Sequence, residues 1–304
     1  MIEQLLVSDC DNIEEIFRDD GNRHIIFQEL RELKLEELPC LTTLYRGVES
    51  IQFPKLKELW IGNLPRLNSF VAIDSEHTHD HNSLHLFCNK KVEIIGLKTL
   101  GLVNIADKIS NIWCRHIPII FFHNLERLYI YKIDGIRNLI SSSMAKTLVN
   151  LNKLDINYCE ELIDVIEDET HVTVNSVFSN LEYLDIKDNC KLRSFCQWKH
   201  ASELPLLVNV QIADCPLMKT FTLGSLSTPK LHRFQINGKD IEMKDLNDGI
   251  HHYISTKVRV YEYSIHNYHL ITMYVCCLYV VCVRMNFCFC FIQKSTTPLY
   301  ILSL

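Results

Sequence analysis

Several motifs that assign a function from sequence are absent from this 304-residue chain. There is no CxxC pair, which removes the main support for a zinc ribbon or a thioredoxin-like redox site. No Asn-x-Ser/Thr sequon occurs, and residues 1–17 lack the basic segment and the apolar core of a signal peptide. The thirteen cysteines are therefore expected to be reduced thiols of a cytoplasmic, intracellular protein.

Positive charge is also scarce. Lys and Arg number 31 against 37 Asp and Glu, a formal net charge of −6. A nucleic-acid-binding protein normally presents a basic face, so we expect no nucleic-acid partner. The catalytic patterns G-x-S-x-G and H-E-x-x-H are absent as well. A hydrolase with a scattered catalytic triad is an alternative, but we expect a protein that is not an enzyme and has no cofactor.

What the chain does contain is a repeated apolar pattern, FxxLxxLxIxx(C/N/L)xxLxx(I/F). The clearest copy comprises Phe53, Leu56, Leu59, Ile61, Leu64, Leu67 and Phe70. Nine copies have leading apolar residues at positions 2, 30, 56, 97, 125, 151, 181, 207 and 231, with intervals of 28, 26, 41, 28, 26, 30, 26 and 24 residues. All but one interval fit a leucine-rich repeat of 20–29 residues, within one residue.

This pattern predicts a leucine-rich-repeat solenoid. The LxI alternation points two apolar residues inward, as in a strand, and the C/N/L position turns the chain where the strand ends. No single repeat buries its apolar face alone, so successive strands must stack into one parallel sheet. We therefore predict a curved α/β-type horseshoe with a parallel concave sheet of about nine short strands and an irregular or short helical convex side.

The 41-residue interval and the end of the chain interrupt the repeats. We predict about three repeats in residues 1–70, a His-rich loop insertion at 71–92, about six repeats in 93–252, and an apolar Cys-rich tail at 253–304. Four histidines of the insertion lie close together, namely His77, His79, His81 and His85. Such spacing can bind zinc or copper, but nothing fixes the geometry, so we expect a solvated loop without a metal.

Residues 271–292 of the tail are long and apolar enough for a transmembrane helix. Arg284 lies past their middle, where a charge opposes insertion by about 2.5–3.5 kcal/mol. Three interpretations stay open: a translated non-coding extension, a membrane anchor and a packed terminal segment. We favour the first.

The outward strand positions of the concave face are the predicted protein-binding surface. Stacking the strands in register aligns their outward side chains in two neighbouring columns. Gly101 lies between the first two members of the first column. The first comprises Trp60, Tyr129, Asp155, Asp185, Gln211 and Gln235, and the second Tyr131, Asn157 and Lys187. Aromatic residues beside charged ones are typical of interface anchors. The alternative interpretation is ordinary exposed strand decoration.

The full sequences of the repeats indicate a particular family more specifically than the spacing of their leucines does. The segments FPKLKELWIGNLPRLNSF (53–70), LVNLNKLDINYCEELIDVIEDE (148–169) and VFSNLEYLDIKDNCKLRSF (177–195) resemble the irregular repeats of plant intracellular immune receptors. More narrowly, they resemble the C-terminal repeats of coiled-coil, nucleotide-binding, leucine-rich-repeat disease resistance proteins. The resemblance covers residues 1 to about 245. The chain has no GxxxxGK[ST] loop, so nucleotide binding is not expected, and we interpret it as a fragment or truncated paralogue.

The resemblance implies a role in plant defence. The implied partners are a pathogen effector, a guarded host protein, or the nucleotide-binding module that the repeats restrain. An adaptor that presents substrates for ubiquitin ligation is the alternative, and it would need an F-box-like helical segment before the repeats.

Overall fold

The computed structural model describes residues 2–18, 24–46, 50–67, 69–71, 92–105, 122–167, 178–242 and 245–257. Two compact units divide the chain, Met1–Ile254 and Ser255–Leu304. The predicted His-rich insertion lies outside the described residues except for positions 71 and 92, and so does the predicted tail beyond residue 257, including residues 271–292.

Nine short parallel strands form the main sheet and follow one another in chain order. They are β1 (Gln4–Ser8), β4 (Glu32–Glu36), β7 (Glu58–Leu64), β10 (Thr99–Ile105), β11 (Arg127–Tyr131), β13 (Lys153–Asn157), β15 (Tyr183–Lys187), β18 (Asn209–Ala213) and β20 (Arg233–Ile236). The two apolar strand positions of each repeat face inward, and in β13 Leu154 and Ile156 have no exposed surface. All nine strands pair in the register that the repeat pattern predicts, which confirms the sheet.

Two residues after the second inward strand position, eight of the nine described coils have a non-glycine residue in the left-handed region, a coil being one turn of the solenoid. These residues, with φ between 47° and 59°, are Asp9, Glu37, Asn63, Asn104, Lys132, Tyr158, Asp188 and Asp214. Asn and Asp tolerate this region better than most residues, and they fill five of the eight positions. The Lys132 amide donates to the Asn157 carbonyl of the next coil at 2.8 Å, so the sheet ladder continues into the turn.

The position predicted as C/N/L comes next and lies under the turn. Asn189 is fully buried there, and its Oδ1 accepts from the Cys159 amide at 2.8 Å. Its Nδ2 donates to the carbonyls of Ile156 and Lys187 at 3.0 and 2.8 Å. The Cys159 thiol donates to the Asn157 carbonyl at 3.6 Å, and burial raises the pKa of this thiol to about 12. Both residue types thus bond the turn backbone from inside the core.

The side away from the main sheet, which the sequence analysis predicted as convex with irregular or short helical structure, consists of short parallel strands and little helix. The first of three ladders comprises β2 (Glu15–Arg18), β5 (Thr43–Arg46) and β8 (Ser69–Val71). The second comprises β3 (His24–Ile26), β6 (Ser50–Phe53) and β9 (Val92–Ile94). The third comprises β12 (Asn138–Ser141), β14 (Asp164–Glu167) and β16 (Ser194–Cys196). A fourth pairs β17 (Ser202–Glu203) with β19 (Leu226–Ser227), and one short helix, α1 (Ser142–Thr147), follows β12. Stacked β-branched residues such as Ile25 and Ile51 favour this extended backbone.

A hairpin and a helix cover the last coil. Asn237 and Gly238, with φ of 49° and 74°, turn β20 into the antiparallel strand β21 (Lys239–Asp240). Asn-Gly is the preferred two-residue loop for such a hairpin. Helix α2 (residues 246–257) follows, and a Cβ added at Gly249 would lie 2.4 Å from the Phe234 ring. The sequence pattern ended after Ile236, and α2 crosses the predicted boundary at residue 252.

Candidate protein-binding surface

The two columns predicted from the repeat lie side by side on the outward face of the main sheet. Register pairs Trp60 with Gly101, Gly101 with Tyr129, and Tyr129 with Asp155. The same column continues through Asp185, Gln211 and Gln235. The neighbouring column of Tyr131, Asn157 and Lys187 is likewise in register. The strand register therefore aligns these residues in two columns, whereas their role in binding stays a prediction.

An aromatic pair forms the beginning of the first column. The rings of Trp60 and Tyr129 stack with centroids 5.3 Å apart, although the strand of Gly101 lies between theirs. A Cβ at Gly101 would lie 2.0 Å from the Trp60 ring, so the absence of a side chain there lets the indole cross to Tyr129. The ammonium of Lys153 lies 5.1 Å from the Tyr129 ring centroid, within the range of a cation–π contact.

Two carboxylates follow the aromatic pair on adjacent strands. Asp155 accepts a hydrogen bond from the Asn157 amide, and its Oδ2 lies 3.8 Å from the Lys153 ammonium. The Asp185 carboxylate pairs with Lys187 at 2.7 Å. Burial, and secondly the charge of Asp185, raise the pKa of Asp155 above its ordinary value. The lysines thus offset two acidic charges that lie one strand apart.

A second pair of aromatic rings joins Tyr131 of the second column to Tyr158 of the next turn. Tyr131 and Tyr158 are 40% and 44% exposed, and their ring centroids are 4.9 Å apart. The Tyr158 hydroxyl is hydrogen-bonded to Asp188, which raises the pKa of this tyrosine. Tyr158 occupies the left-handed turn position, outside the LxI strand that sequence reasoning searched. This turn position recurs two residues after the second inward strand residue, and that spacing could have identified Tyr158.

The C-terminal end of the first column carries amides. Gln235 is held by the terminal hairpin, since its Nε2 donates to Asp240 at 2.8 Å. Gln211 is half-buried on the neighbouring strand. Because Asp240 belongs to the antiparallel strand β21, the repeat pattern gave no indication of this contact.

The opposite, N-terminal end of the face is acidic, which the column analysis missed because it began at Trp60. Glu32 and Glu58 are neighbours in register on β4 and β7. Lys34 pairs with Glu32 at 2.8 Å, and the Gln4 amide donates to the other oxygen of Glu32 at 2.9 Å. The pKa of Lys34 is raised, first by its hydrogen bond to Glu32 and further by the charges of Glu36 and Glu58.

Among the described residues, no group of three or more His, Cys, Asp or Glu side chains could hold a metal ion. Cys215 at a C/N/L position is also half-buried, and burial raises its pKa to about 11. In the same part of the chain no helix is long and apolar enough to cross a membrane.

Parallel strands that recur along the chain in register, left-handed turns and buried Asn and Cys residues under these turns define a leucine-rich-repeat solenoid. The sequence profile of the leucine-rich repeats of RPS2-like plant disease resistance proteins matches residues 71–160 and 96–236. The chain therefore belongs to this family, as its resemblance to plant disease resistance proteins predicted.

Individual relatives agree with the family match. The chain is 33% identical over 115 residues to the probable disease resistance protein At1g61310 of Arabidopsis thaliana, covering 38% of this chain and 12% of that protein. It is 32% identical over 108 residues to the disease resistance protein SUMM2 and 30% identical over 116 residues to the disease resistance protein UNI, both from the same plant. These matches cover 34% and 38% of this chain but only 11% and 13% of those relatives. No solved structure matches the chain significantly.

Proposed function

We propose that this chain is the recognition surface of an intracellular plant defence protein and acts by binding proteins, without catalysis. Its implied partners are a pathogen effector, a guarded host protein, or a nucleotide-binding module that the repeats restrain. The family and the named relatives support a defence role. Protein binding is the general use of stacked-repeat surfaces of this kind.

The observation that carries this proposal is the aromatic and charged composition of the outward sheet face. Aromatic residues are enriched among the side chains that dominate binding energy, and a charged rim around them adds specificity. Here Trp60 and Tyr129 are half-buried by one another, while Tyr131 and Tyr158 stay exposed beside them. The main sheet holds Trp60, Tyr129 and Tyr131, and the turn after β13 holds Tyr158, so binding orders few additional side chains.

Site-specific photo-cross-linking in leaf cells tests this proposal. A benzophenone amino acid replaces Tyr129 on the sheet face in one full-length chain. In the matched control it replaces Leu223, which is 55% exposed and lies outside the main sheet. We expect a discrete adduct during pathogen challenge from the Tyr129 position only, with mass spectrometry identifying the captured protein as a pathogen or host defence component.

A further chain carries the cross-linker at Tyr131 together with Trp60→Ala. We expect this substitution to reduce the Tyr131 adduct at least tenfold, on the order of the 1.4 kcal/mol lost with one interface anchor. Equal adducts at the Tyr129 and Leu223 positions, or no adduct at either, would contradict the proposal.

A further inference from the structure

Charge is distributed unevenly along the outward face of the main sheet. The first three strands, β1, β4 and β7, with their turn residues, define what we call the acidic zone. Its charged members are Asp9, Glu32, Lys34, Glu36, Glu37 and Glu58, with a net charge of −4. The corresponding positions of the other six strands carry five basic and four acidic residues, a net charge of +1. The acidity therefore belongs to one end of the face.

Contacts within the zone leave much of its acidity unbalanced. Lys34 is its one cation, and its ammonium pairs with Glu32. Glu37 accepts a hydrogen bond from the uncharged Asn63 amide. Among the described residues, no ion pair involves Glu36 or Glu58, and Glu36 is exposed. Like charges on neighbouring strands, such as Glu32 and Glu58, cost stability unless a cation offsets them.

Apolar and aromatic surface borders these carboxylates. Leu6 is 62% exposed and precedes Lys34 and Trp60 in the same column. Glu58 is two residues before Trp60 on one strand, so both side chains point to the same side of the sheet, about 7 Å apart. A carboxylate beside an indole matches an arginine, whose planar guanidinium forms paired hydrogen bonds and also stacks on aromatic rings.

We propose that the acidic zone binds an arginine-bearing basic segment of a protein partner, with one guanidinium paired to Glu58 and stacked on Trp60. This inference rests on the proposed protein-binding function and adds the chemistry of the partner at this end of the face. Glu36 contacts a further basic residue of the same segment, and Leu6 contacts its apolar side chains. Complementary charge of this kind raises the association rate and selects the partner.

Selection from a displayed library of random peptides tests the inference on the full-length chain. Three chains are used in parallel: the natural sequence, the double variant Glu36→Gln/Glu58→Gln, and the matched control Glu93→Gln/Glu203→Gln. Both control residues are exposed and lie outside the main sheet. Thermal denaturation verifies that the three chains fold alike, since each change exchanges a surface carboxylate for an amide of the same shape.

We expect arginine-containing peptides to be enriched on the natural chain and on the control, and at least tenfold less on the Glu36→Gln/Glu58→Gln chain. Replacing arginine by lysine in a selected peptide should weaken binding to the natural chain, but much less to a Trp60→Ala chain. Equal enrichment of basic peptides on all three chains would overturn the inference.

Two other outcomes separate this inference from the proposed function. Selected peptides without basic residues that lose binding on Trp60→Ala/Tyr129→Ala would overturn the basic-partner inference and leave the protein-binding face intact. Peptides that bind the chain regardless of every sheet-face substitution would overturn both.

Discussion

Asn189 joins two coils through one buried amide. Its amide oxygen accepts from the Cys159 amide, and its amide nitrogen donates to the carbonyls of Ile156 and Lys187, of which the second also accepts from the Tyr158 amide. In this coil the side chain under the turn thus supplies both acceptor and donor atoms to the backbone. A leucine, which fills the same position in other coils, supplies volume alone, as Leu38 does under the turn at Glu37.

Replacing Asn189 should measure this contribution. We expect Asn189→Ala to lower the free energy of unfolding by about 3 kcal/mol, because buried polar groups lose their partners. The matched control is Asn180→Ala, since this amide also bonds a carbonyl of the preceding coil but is exposed to water. The Asn180→Ala substitution should lower the free energy of unfolding by less than about 1 kcal/mol. Urea denaturation of both variants provides the comparison, and equal losses would show that Asn189 contributes no more than a surface amide.

At the scale of the strand, two glycines that look alike in sequence differ in their surroundings. Gly62 lies two residues after Trp60 on the same strand, β7. Gly101 lies on the neighbouring strand, β10, and is paired in register with Trp60. A Cβ at Gly62 would make ordinary contacts, the nearest at 3.6 Å to Glu36. At Gly101 it would overlap the Trp60 ring. The second glycine is thus required by the aromatic pair.

We expect Gly101→Ala to displace the Trp60 ring from Tyr129 and to lower the free energy of unfolding by about 1–3 kcal/mol, the range for overpacked sites. Gly62→Ala should be neutral or stabilising by up to about 1 kcal/mol, because alanine suits a strand better than glycine. Near-ultraviolet circular dichroism reports on the ring pair, and urea denaturation reports on stability. A Gly101→Ala chain that keeps both properties would disprove the close approach.

Among the strands, those of the main sheet could be predicted from sequence and those of the other ladders could not. The strands were predictable because burial of alternate residues, as in Leu154 and Ile156, leaves a fixed apolar spacing. The columns of outward side chains were predictable as well, since the buried strand residues set the register of stacked repeats. The convex strands were not predictable, because segments such as β3 are only three residues long. The Asn237–Gly238 hairpin carried a recognisable turn signature, which the repeat alignment overlooked.

Over the whole molecule, the two ends of the solenoid are covered to different degrees. Leu5 and Val7 of the first coil are half-buried, whereas their equivalents Leu33 and Leu35 in the second coil are buried. At the other end Phe234 is buried beneath α2. Coils in a repeat protein are stabilised mainly by their neighbours, so stability should differ from end to end.

Hydrogen exchange followed by mass spectrometry should detect this difference. We expect amides of β1 to exchange at least tenfold faster than those of β13, because the inward residues of β1 are half-buried whereas those of β13 are buried. Amides of β20 serve as the control, since the hairpin and α2 cover that end. Equal protection of β1 and β20 would mean that the first coil is as well supported as the last.

The 41-residue interval between the third and fourth repeats bears on how the outward face of the sheet evolves. Trp60 and Gly101 are neighbours in the sheet although 41 residues separate them, just as Tyr129 and Asp155 are neighbours at a separation of 26. The hydrogen-bonded ladder thus sets the distance between adjacent outward side chains, whatever the length of the connecting segment. Insertions and deletions can accumulate between strands while the recognition face keeps its spacing, so the two can evolve independently.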